Sequence, residues 1–207
     1  MPVLDRIFAA FYDRVLASSE RAGLAQRRRE LLADLTGNVV ELGAGTGANL
    51  AAYGPGVERL TLLEPSAAMT ARLRTRLADT PVSADVEVLR APGEALPLPD
   101  ASADAVVSTL VLCTVSDVDR TLGEVERVLR PGGRLVLLEH VAADDPSTAR
   151  LQRVLRRPWH VIGQGCNLDR DPRAALARRG WDVSGLVDVQ LPMPAPTRPG
   201  QTGVVTR

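Results

Sequence analysis

An apolar run that ends in three alternating glycines is the feature that most constrains how this chain can fold. The stretch reads VVELGAGTGANL and covers residues 39–50. Glycines in such a turn adopt backbone conformations that side chains disfavour, and they let the backbone approach a ligand closely. We expect the turn at the carboxyl edge of a sheet, where backbone N–H groups and the start of a following helix can face that ligand.

Apolar runs of strand length alternate with stretches of helical periodicity over most of the chain. This alternation predicts a parallel sheet covered by helices on both faces. The predicted strands are NVVEL, RLTLLE, VEVLRA, DAVVSTL and GRLVLLEH, and the predicted helices lie near residues 48–52, 67–77 and 117–128. The last of these helices should end before Arg130-Pro131-Gly132-Gly133, which favours a turn into the next strand.

The pattern loosens after His140. A basic helix-like segment (ARLQRVLRR), an irregular loop (PWHVIGQGCNLDRDP) and a short helix (RAALARRG) precede two strands near WDVSGLVDVQ and GQTGVVTR. The proline-rich LPMPAPTRPG between these strands predicts an exposed connection, because proline cannot donate to a sheet ladder. With 207 residues, the chain is expected to form one domain over residues 1–207.

The N-terminal residues 1–29 predict a helix that either packs on the domain or closes over a ligand as a lid. The apolar residues at helical spacing are Ile7, Phe8, Phe11, Val15 and Leu16. Scattered charges interrupt this segment, so it does not resemble a signal peptide or a membrane span, and we expect a cytoplasmic protein. The 25 basic and 25 acidic side chains cancel, which disfavours a nucleic-acid partner.

The two cysteines, Cys113 and Cys166, are too few for a disulfide framework and lack the spacing of metal ligands. We therefore expect free thiols and no metal site.

The spacing of the glycines and a nearby acidic residue limit which classes of ligand the turn could bind. The turn lacks the lysine of GxxxxGK[ST], which argues against a triphosphate, and its Gly-x-Gly-x-Gly spacing differs from the dinucleotide pattern GxGxxG. Glu64 ends the second predicted strand, where a carboxylate can accept both hydroxyls of a ribose. The pattern predicts a nucleoside ligand, and a nicotinamide cofactor is the weakest option.

The motifs ELGAGTG, LLEPS, ADAVVSTLVLC and LGEVERVLRPGGRLVLLEH together resemble those of the class I S-adenosylmethionine-dependent methyltransferases, over about residues 31–141. Within that superfamily, STLVLCTV, LLEHVAA and PWHVIGQGCNLDR resemble the methyltransferase-like-seven group, which is associated with S-methylation of alkyl thiols. The resemblance implies a Rossmann-like, doubly wound α/β fold with seven mostly parallel strands, an antiparallel last strand and a substrate-side insertion at residues 142–179. Members of that group carry a membrane-anchoring N-terminal segment, which we expect this chain to lack.

The resemblance also implies S-adenosylmethionine as the cofactor. Glu41 would lie near its methionine amino group, and Glu64 would bind its ribose hydroxyls. Many relatives have an aspartate for the adenine where this chain has Pro92, so the backbone of Gly93 and Glu94 is the expected adenine contact. The full set of expected cofactor residues is Glu41, Gly43, Ala44, Gly45, Gly47, Glu64, Pro65, Gly93, Glu94, Thr109 and Leu110.

Methyl transfer from a sulfonium to a thiol requires alignment and a deprotonated sulfur, so the protein needs to supply few chemical groups. We expect His140, at the carboxyl end of the fifth strand, to be the base, with His160 as the second choice. A purely structural role for either histidine stays open. The other residues expected on the substrate side are Tyr12, Cys113, Cys166, Asn167 and Arg170.

The main hypothesis is therefore a methyltransferase that uses S-adenosylmethionine and acts on the thiol of a small molecule. Two alternatives stay open. The acceptor could instead be an oxygen, nitrogen or carbon atom of a quinone, a phospholipid amine or a secondary metabolite. The chain could also be a regulatory module that binds the cofactor without turnover.

Overall fold

A seven-stranded sheet forms the centre of the computed structural model, which describes residues 2–207, with side chains described from Arg6 onward. The strands are β1 (Gly37–Leu42), β2 (Val57–Leu63), β3 (Asp85–Leu89), β4 (Ala103–Thr109), β5 (Leu129–His140), β6 (Leu186–Gln190) and β7 (Pro199–Thr206). Their order is β3-β2-β1-β4-β5-β7-β6. β7 is antiparallel to β5 and β6, and the other neighbouring pairs are parallel. The predicted fold class is confirmed.

The helices lie on both faces of the sheet. They are α1 (Pro2–Ser19), α2 (Ala25–Leu32), α3 (Ala67–Asp79), α4 (Val118–Val128), α5 (Pro146–Ile162) and α6 (Pro172–Arg178). Each face of the sheet has its own hydrophobic core, and alternate residues of β5 pack into one or the other. Leu135 packs in the cluster that includes Leu122 of α4, and Val136 packs in the cluster that includes Leu73 of α3. This alternation is the period-two pattern of a strand buried on both sides.

Two predicted elements near the sheet differ from the structure. The glycine turn leads only into a short 3-10 helix, Leu50–Ala52, and not into an α-helix over residues 48–52. The side-chain amide of Asn49, just before this short helix, donates buried hydrogen bonds to Glu41 and Thr109. The predicted turn at Arg130–Gly133 is an irregularity within β5, where the pairing with β4 shifts between Leu129 and Arg134.

Two predictions for the C-terminal half are wrong. The predicted loop over residues 158–172 begins later, because α5 continues to Ile162 with Pro158 inside it. The connection over residues 191–200 is only partly exposed: Leu191 and Thr197 are buried. The side-chain amide of Gln152 donates to the Pro196 carbonyl at 2.9 Å, which fixes this connection against α5.

The N-terminal segment is not one helix. A π-helical turn, Glu20–Leu24, separates α1 from α2, and Gly23 within it has a φ of 125°. Met1, the first residue of the predicted segment, lies outside the described residues. The apolar residues expected to pack divide between two sides of α1: Phe8 and Leu16 are half-buried, whereas Ile7, Phe11 and Val15 are exposed.

None of the described helices combines the length and the apolar character that a bilayer span requires.

Candidate functional site

The three glycines of the turn after β1 all have a positive φ, of 54° at Gly43, 57° at Gly45 and 86° at Gly47. Their surroundings differ. A Cβ atom at Gly43 would lie 2.7 Å from Val111, and one at Gly47 would lie 2.8 Å from Leu73, so both glycines are needed for packing. A Cβ atom at Gly45 would meet nothing closer than 3.9 Å. Gly45 is therefore where the backbone of the turn is open to a ligand.

Glu64 follows β2 directly and lies beside this open turn. Its Oε2 accepts a hydrogen bond from the Gly45 N–H at 2.9 Å, and its Oε1 accepts one from the Ser66 N–H at 2.8 Å. The residue is only 6% exposed. Each carboxylate oxygen can accept more than one hydrogen bond, so this fixed carboxylate suits a ribose diol presented at the turn. The arrangement fits the nucleoside part of S-adenosylmethionine.

Glu41 is buried at the end of β1. Its carboxylate accepts hydrogen bonds from the Tyr53 hydroxyl at 2.6 Å and from the Asn49 amide at 2.9 Å. Burial raises the pKa of Glu41, although these two hydrogen bonds and the charge of Arg28 oppose that rise. Burial, together with the neighbouring Glu41, also raises the pKa of Tyr53 well above its usual value. Glu41 therefore lies in a dry polar pocket, in which the ammonium group of a cofactor would be a strong partner.

Arg28 of α2 completes this polar pocket, and sequence reasoning missed it. Its Nη1 donates to Asn49 Oδ1 at 2.8 Å and to Thr109 Oγ1 at 3.1 Å, and its guanidinium pairs with Glu20 at 3.2 Å. Only 4% of Arg28 is exposed. A buried guanidinium at the ends of β1 and β4 is a suitable partner for a carboxylate. Nothing in the stretch AQRRREL distinguishes Arg28 from its two arginine neighbours.

Helix α1 covers the glycine turn. The Thr46 hydroxyl donates to Asp13 Oδ1 at 2.6 Å, and Arg76 of α3 pairs with Asp13 Oδ2 at 2.8 Å. Tyr12, next to Asp13, lies within electrostatic reach of both Glu64 and Cys113. Burial raises the pKa of Tyr12 to about 12, so its phenol stays neutral. This places Tyr12 between the predicted cofactor residues and the predicted substrate residues.

The loop after β3 holds the residues expected at the adenine. The Glu94 carboxylate accepts hydrogen bonds from the Ser116 hydroxyl at 2.7 Å and from the Asp117 N–H at 3.1 Å. Burial disfavours this charge, but the hydrogen bonds outweigh that effect and lower the pKa of Glu94. The carboxylate thus anchors the loop to the start of α4. Pro65 is exposed, with its carbonyl 3.3 Å from an Arg90 guanidinium nitrogen.

Three predicted residues from distant parts of the sequence converge beyond the ends of β4 and β5. Cys113, His140 and Cys166 are all buried, and one sulfur or nitrogen atom of each lies within 4.8 Å of those of the other two. His140 Nε2 lies 3.1 Å from Cys166 Sγ. Because the three residues are far apart in sequence, the sequence did not predict that they would form one cluster. Two thiols and an imidazole are one ligand fewer than a structural zinc site uses and equal the three protein ligands of a catalytic one; within the described residues no fourth such side chain joins them.

The segment after Cys166 is attached to the segment around Cys113. The Asn167 N–H donates to the Cys113 carbonyl at 2.8 Å, and the Asn167 side-chain amide donates to the same oxygen at 3.1 Å. The Arg170 guanidinium donates to the Leu112 carbonyl. Asn167 and Arg170, both predicted on the substrate side, therefore hold two loops together beside the cysteines.

Glu139 is a second residue that sequence reasoning missed. It is fully buried next to His140, and its Oε1 accepts hydrogen bonds from the Ser108 hydroxyl at 2.7 Å and from the N–H groups of Val111 and Leu112 at 3.0 and 3.2 Å. Burial raises its pKa. These bonds fix the chain just after β4, where Leu110 has a φ of 60°. The acidic residue within the apolar run RLVLLEH was the signal that could have identified it.

His160, the second choice for a base, is not part of this cluster. It lies in the last turn of α5, and its side chain is exposed. Because α5 extends past the predicted start of the loop, His160 lies on a solvated helical surface and not in a loop over the pocket.

Comparisons with known proteins find several methyltransferases. Residues 40–137 match the family model described as a methyltransferase domain. Human thiol S-methyltransferase TMT1A is 37% identical over 180 residues, which are 82% of this chain and 73% of that protein. Human thiol S-methyltransferase TMT1B is 39% identical over 167 residues, which are 76% of this chain and 68% of that protein. The crystal structure of an S-adenosylmethionine-dependent methyltransferase from Thermotoga maritima, titled a possible histamine N-methyltransferase, superposes with a TM-score of 0.68 at 21% identity, covering 99% of this chain and 97% of that one.

Proposed function

Because the chain belongs to the family of S-adenosylmethionine-dependent methyltransferases that includes the thiol S-methyltransferases TMT1A and TMT1B, we propose that it methylates the thiol of a small molecule. The observation that carries this proposal is the buried position of His140 beside two cysteine sulfurs at the carboxyl edge of the sheet. The cofactor, when bound, supplies an electrophilic methyl group on a sulfonium.

The acceptor has to be a thiolate when it attacks, and a free thiol has a pKa of about 8.5, so only a few per cent is ionised at neutral pH. A base in the pocket removes this limitation. The Nδ1 atom of His140 is buried and has no hydrogen-bond partner among the described residues. We assign the base to this nitrogen, because it is the ring atom that is left to take the proton of an acceptor.

The surroundings of His140 suit the transfer of a methyl group to a thiolate. Cys113, His140 and Cys166 are each less than 10% exposed, so solvent has little access to them. In such a pocket the positive sulfonium and the negative thiolate lose charge together as the new bond forms, and weak solvation of the thiolate favours this step. We propose Cys113, Asn167 and Arg170 as residues that line the acceptor side.

The cofactor side is proposed from the residues around the glycine turn. Gly45 and Glu64 would receive the ribose, Glu41 the methionine ammonium group, and the backbone of Gly93 and Glu94 the adenine. Arg28, which lies 3.1 Å from Thr109 Oγ1, is positioned to receive the methionine carboxylate. The remaining residues in this assignment are Gly43, Ala44, Gly47, Pro65, Thr109 and Leu110. We also propose that the protein is cytoplasmic.

A labelled-methyl transfer screen tests the proposed acceptor. The purified protein is incubated with labelled S-adenosylmethionine and with alkyl thiols, aryl thiols, phenols, amines, quinols and phospholipid vesicles in separate reactions. We expect turnover with thiols. Turnover confined to an oxygen, nitrogen or carbon acceptor would reject the thiol assignment and leave the cofactor assignment intact.

The two histidines of the chain provide a matched pair for testing the base. His140→Gln is expected to lower kcat with an alkyl thiol by about 100-fold or more, the usual contribution of a general base. His160→Gln changes an exposed residue and is expected to leave kcat within about twofold of the wild type. Equal kcat values for the wild type and a folded His140→Gln variant would show that His140 is not the base.

A further inference from the structure

Two side chains with ring N–H groups lie against the sulfur of Cys166. The indole N–H of Trp159 donates to it at 3.3 Å, and His140 Nε2 lies 3.1 Å away. The Cys113 thiol is nearby but donates to the Leu110 carbonyl, at 3.5 Å. An indole can only donate, so the Cys166 sulfur is the acceptor in that contact. A sulfur that accepts hydrogen bonds from its neighbours in a buried site is stabilised as an anion.

The two cysteines are affected in opposite directions. The neighbouring Cys113 is the largest cause that lowers the pKa of Cys166; burial opposes it, and His140 and Trp159 lower the pKa further. The pKa of Cys113 is raised well above its usual value by the neighbouring Cys166 and by burial. Because the Cys113 thiol already donates to the Leu110 carbonyl and the Cys166 sulfur accepts from Trp159, Cys166 is the cysteine of the pair that we expect to ionise.

A thiolate beside Nε2 determines which nitrogen of His140 carries the proton. The anion can only accept, so Nε2 must be the N–H donor, and the lone pair of the neutral ring is then on Nδ1. This nitrogen is buried and has no partner among the described residues. In the Ser-His-Asp triad a buried anion holds the histidine in the same way and stabilises the cation that forms on it.

We propose that Cys166 is a positioning residue whose thiolate holds His140 as the Nε2–H tautomer and stabilises the imidazolium that forms when Nδ1 takes the proton of the acceptor thiol. The proposal deepens the proposed function and rests on it. The proton passes from the acceptor S–H to Nδ1. The acceptor sulfur then forms a bond to the methyl carbon, the bond from that carbon to the sulfonium breaks with its electron pair remaining on the leaving sulfur, and His140 releases the proton to solvent. Cys166 itself is unchanged at the end.

Other charged or titratable groups act on the same site. Glu139 lies next to His140, its pKa raised by burial. The positive charge of Arg170 lowers the pKa of Cys113, although its effect is smaller than those of the neighbouring Cys166 and of burial, which raise it. Tyr12 is within electrostatic reach of Cys113 and stays neutral.

The decisive experiment compares two acceptor thiols in the wild type and in Cys166→Ser. An alkyl thiol is largely protonated at neutral pH, whereas a nitro-substituted aryl thiol is already ionised and needs no base. We expect Cys166→Ser to lower kcat by roughly 100-fold with the alkyl thiol and by less than about threefold with the aryl thiol. The loss with the alkyl thiol should shrink as the pH rises and the acceptor ionises. Equal losses with both acceptors would indicate a merely structural role and overturn the proposal.

A second measurement does not depend on turnover. The ultraviolet absorbance of thiolate is titrated against pH in the wild type, Cys166→Ser and Cys113→Ser. We expect a thiolate at neutral pH in the wild type, none in Cys166→Ser, and a thiolate that protonates at higher pH in Cys113→Ser. A wild type with no thiolate at neutral pH would overturn the proposal even if it methylates thiols. Failure of the wild type to methylate any thiol would reject the proposed function, and this titration would still decide the state of Cys166.

Metal analysis, combined with the same titration, tests whether the three residues bind a metal ion instead. We expect the purified protein to contain no stoichiometric zinc. One zinc per chain, with thiolate absorbance that a chelator changes, would overturn the proposal, because Cys113, His140 and Cys166 would then be metal ligands and His140 could not take a proton.

Discussion

Glu64 Oε2 accepts a hydrogen bond from the backbone N–H of Gly45 at 2.9 Å. This bond links the tip of β2 to the one glycine of the turn whose missing side chain leaves open space. The carboxylate and the open backbone therefore face the same volume, and we propose that the ribose of S-adenosylmethionine occupies it.

The first prediction concerns Glu64. Replacing it with alanine removes a charged acceptor for the ribose hydroxyls, so the cofactor should bind more weakly by about 1 to 3 kcal/mol, or roughly 5- to 150-fold in Kd. Isothermal titration with S-adenosylmethionine measures this change. Glu58→Ala is the matched control, because Glu58 is an exposed residue at the other end of β2. An unchanged Kd in a folded Glu64→Ala variant would refute the assignment.

The second prediction separates two glycines that the sequence pattern treats alike. Alanine at Gly43 would combine a positive φ with a contact of 2.7 Å to Val111, and we expect it to lower the free energy of unfolding by about 3 kcal/mol. Alanine at Gly45 would meet no neighbour closer than 3.9 Å, so it should lower that free energy by only about 1 kcal/mol.

Cofactor binding should distinguish the same pair. The methyl group of Gly45→Ala would enter the volume assigned to the cofactor, so its Kd should rise by about tenfold or more despite the smaller loss of stability. Urea denaturation and isothermal titration on both variants provide the two quantities. Normal cofactor affinity in Gly45→Ala would mean that the open face of Gly45 is not the contact surface.

The contrast between these glycines illustrates what the sequence can predict. The alternation of apolar runs and helical stretches was sufficient to predict the sheet, because the central strands β1, β4 and β5 are buried over most of their length and read as continuous apolar runs. It was also sufficient to place Glu64 beside the turn, since the carboxyl ends of neighbouring parallel strands meet at one edge. Whether a glycine serves packing or a ligand depends on residues far away in sequence, such as Val111 and Leu73, and no local pattern contains that information.

The acceptor side shows the same limit. Cys113 and His140 follow the neighbouring strands β4 and β5, so their proximity could be argued from topology. Cys166 arrives from a loop after α5 that has no periodic signal, and its contact with His140 is visible only in three dimensions. Arg28 was missed because the sequence of a polar helical stretch does not distinguish a buried arginine from less buried arginine neighbours. The exposure of Ile7, Phe11 and Val15 likewise shows that helical spacing predicts a helix but not which side of it is buried.

The third prediction tests whether α1 acts as a lid. Asp13 joins α1 to the glycine turn through Thr46 and to α3 through Arg76. Because Asp13 and Arg76 are both more than one third exposed, Asp13→Ala should change the free energy of unfolding by no more than about 1 kcal/mol. We expect S-adenosylmethionine to dissociate faster from this variant, as measured by stopped-flow displacement, because α1 is no longer fastened over the turn.

Arg59→Ala is the control for Asp13→Ala, since it removes an exposed ion pair, with Asp85, at the opposite edge of the sheet. Its dissociation rate should match that of the wild type. Identical dissociation rates for all three proteins would make α1 a packing segment and not a lid.

The last prediction follows from the raised pKa of the buried Glu41. A carboxyl group whose pKa is higher in the folded than in the unfolded protein binds protons more tightly in the folded state. The free energy of unfolding therefore decreases as the pH rises from the unfolded pKa through the folded one. Glu41→Gln keeps one acceptor oxygen, for either Tyr53 or Asn49, and cannot ionise, so it should remove this part of the decrease between pH 5 and pH 8. Urea denaturation of the protein without cofactor at both pH values measures the difference, with the exposed Glu58→Gln as a control that should follow the wild type. Glu41→Gln should also bind S-adenosylmethionine more weakly, because a neutral amide attracts the methionine ammonium group less than a carboxylate does. A steeper loss of stability with pH in Glu41→Gln than in the wild type would contradict the direction of the shift.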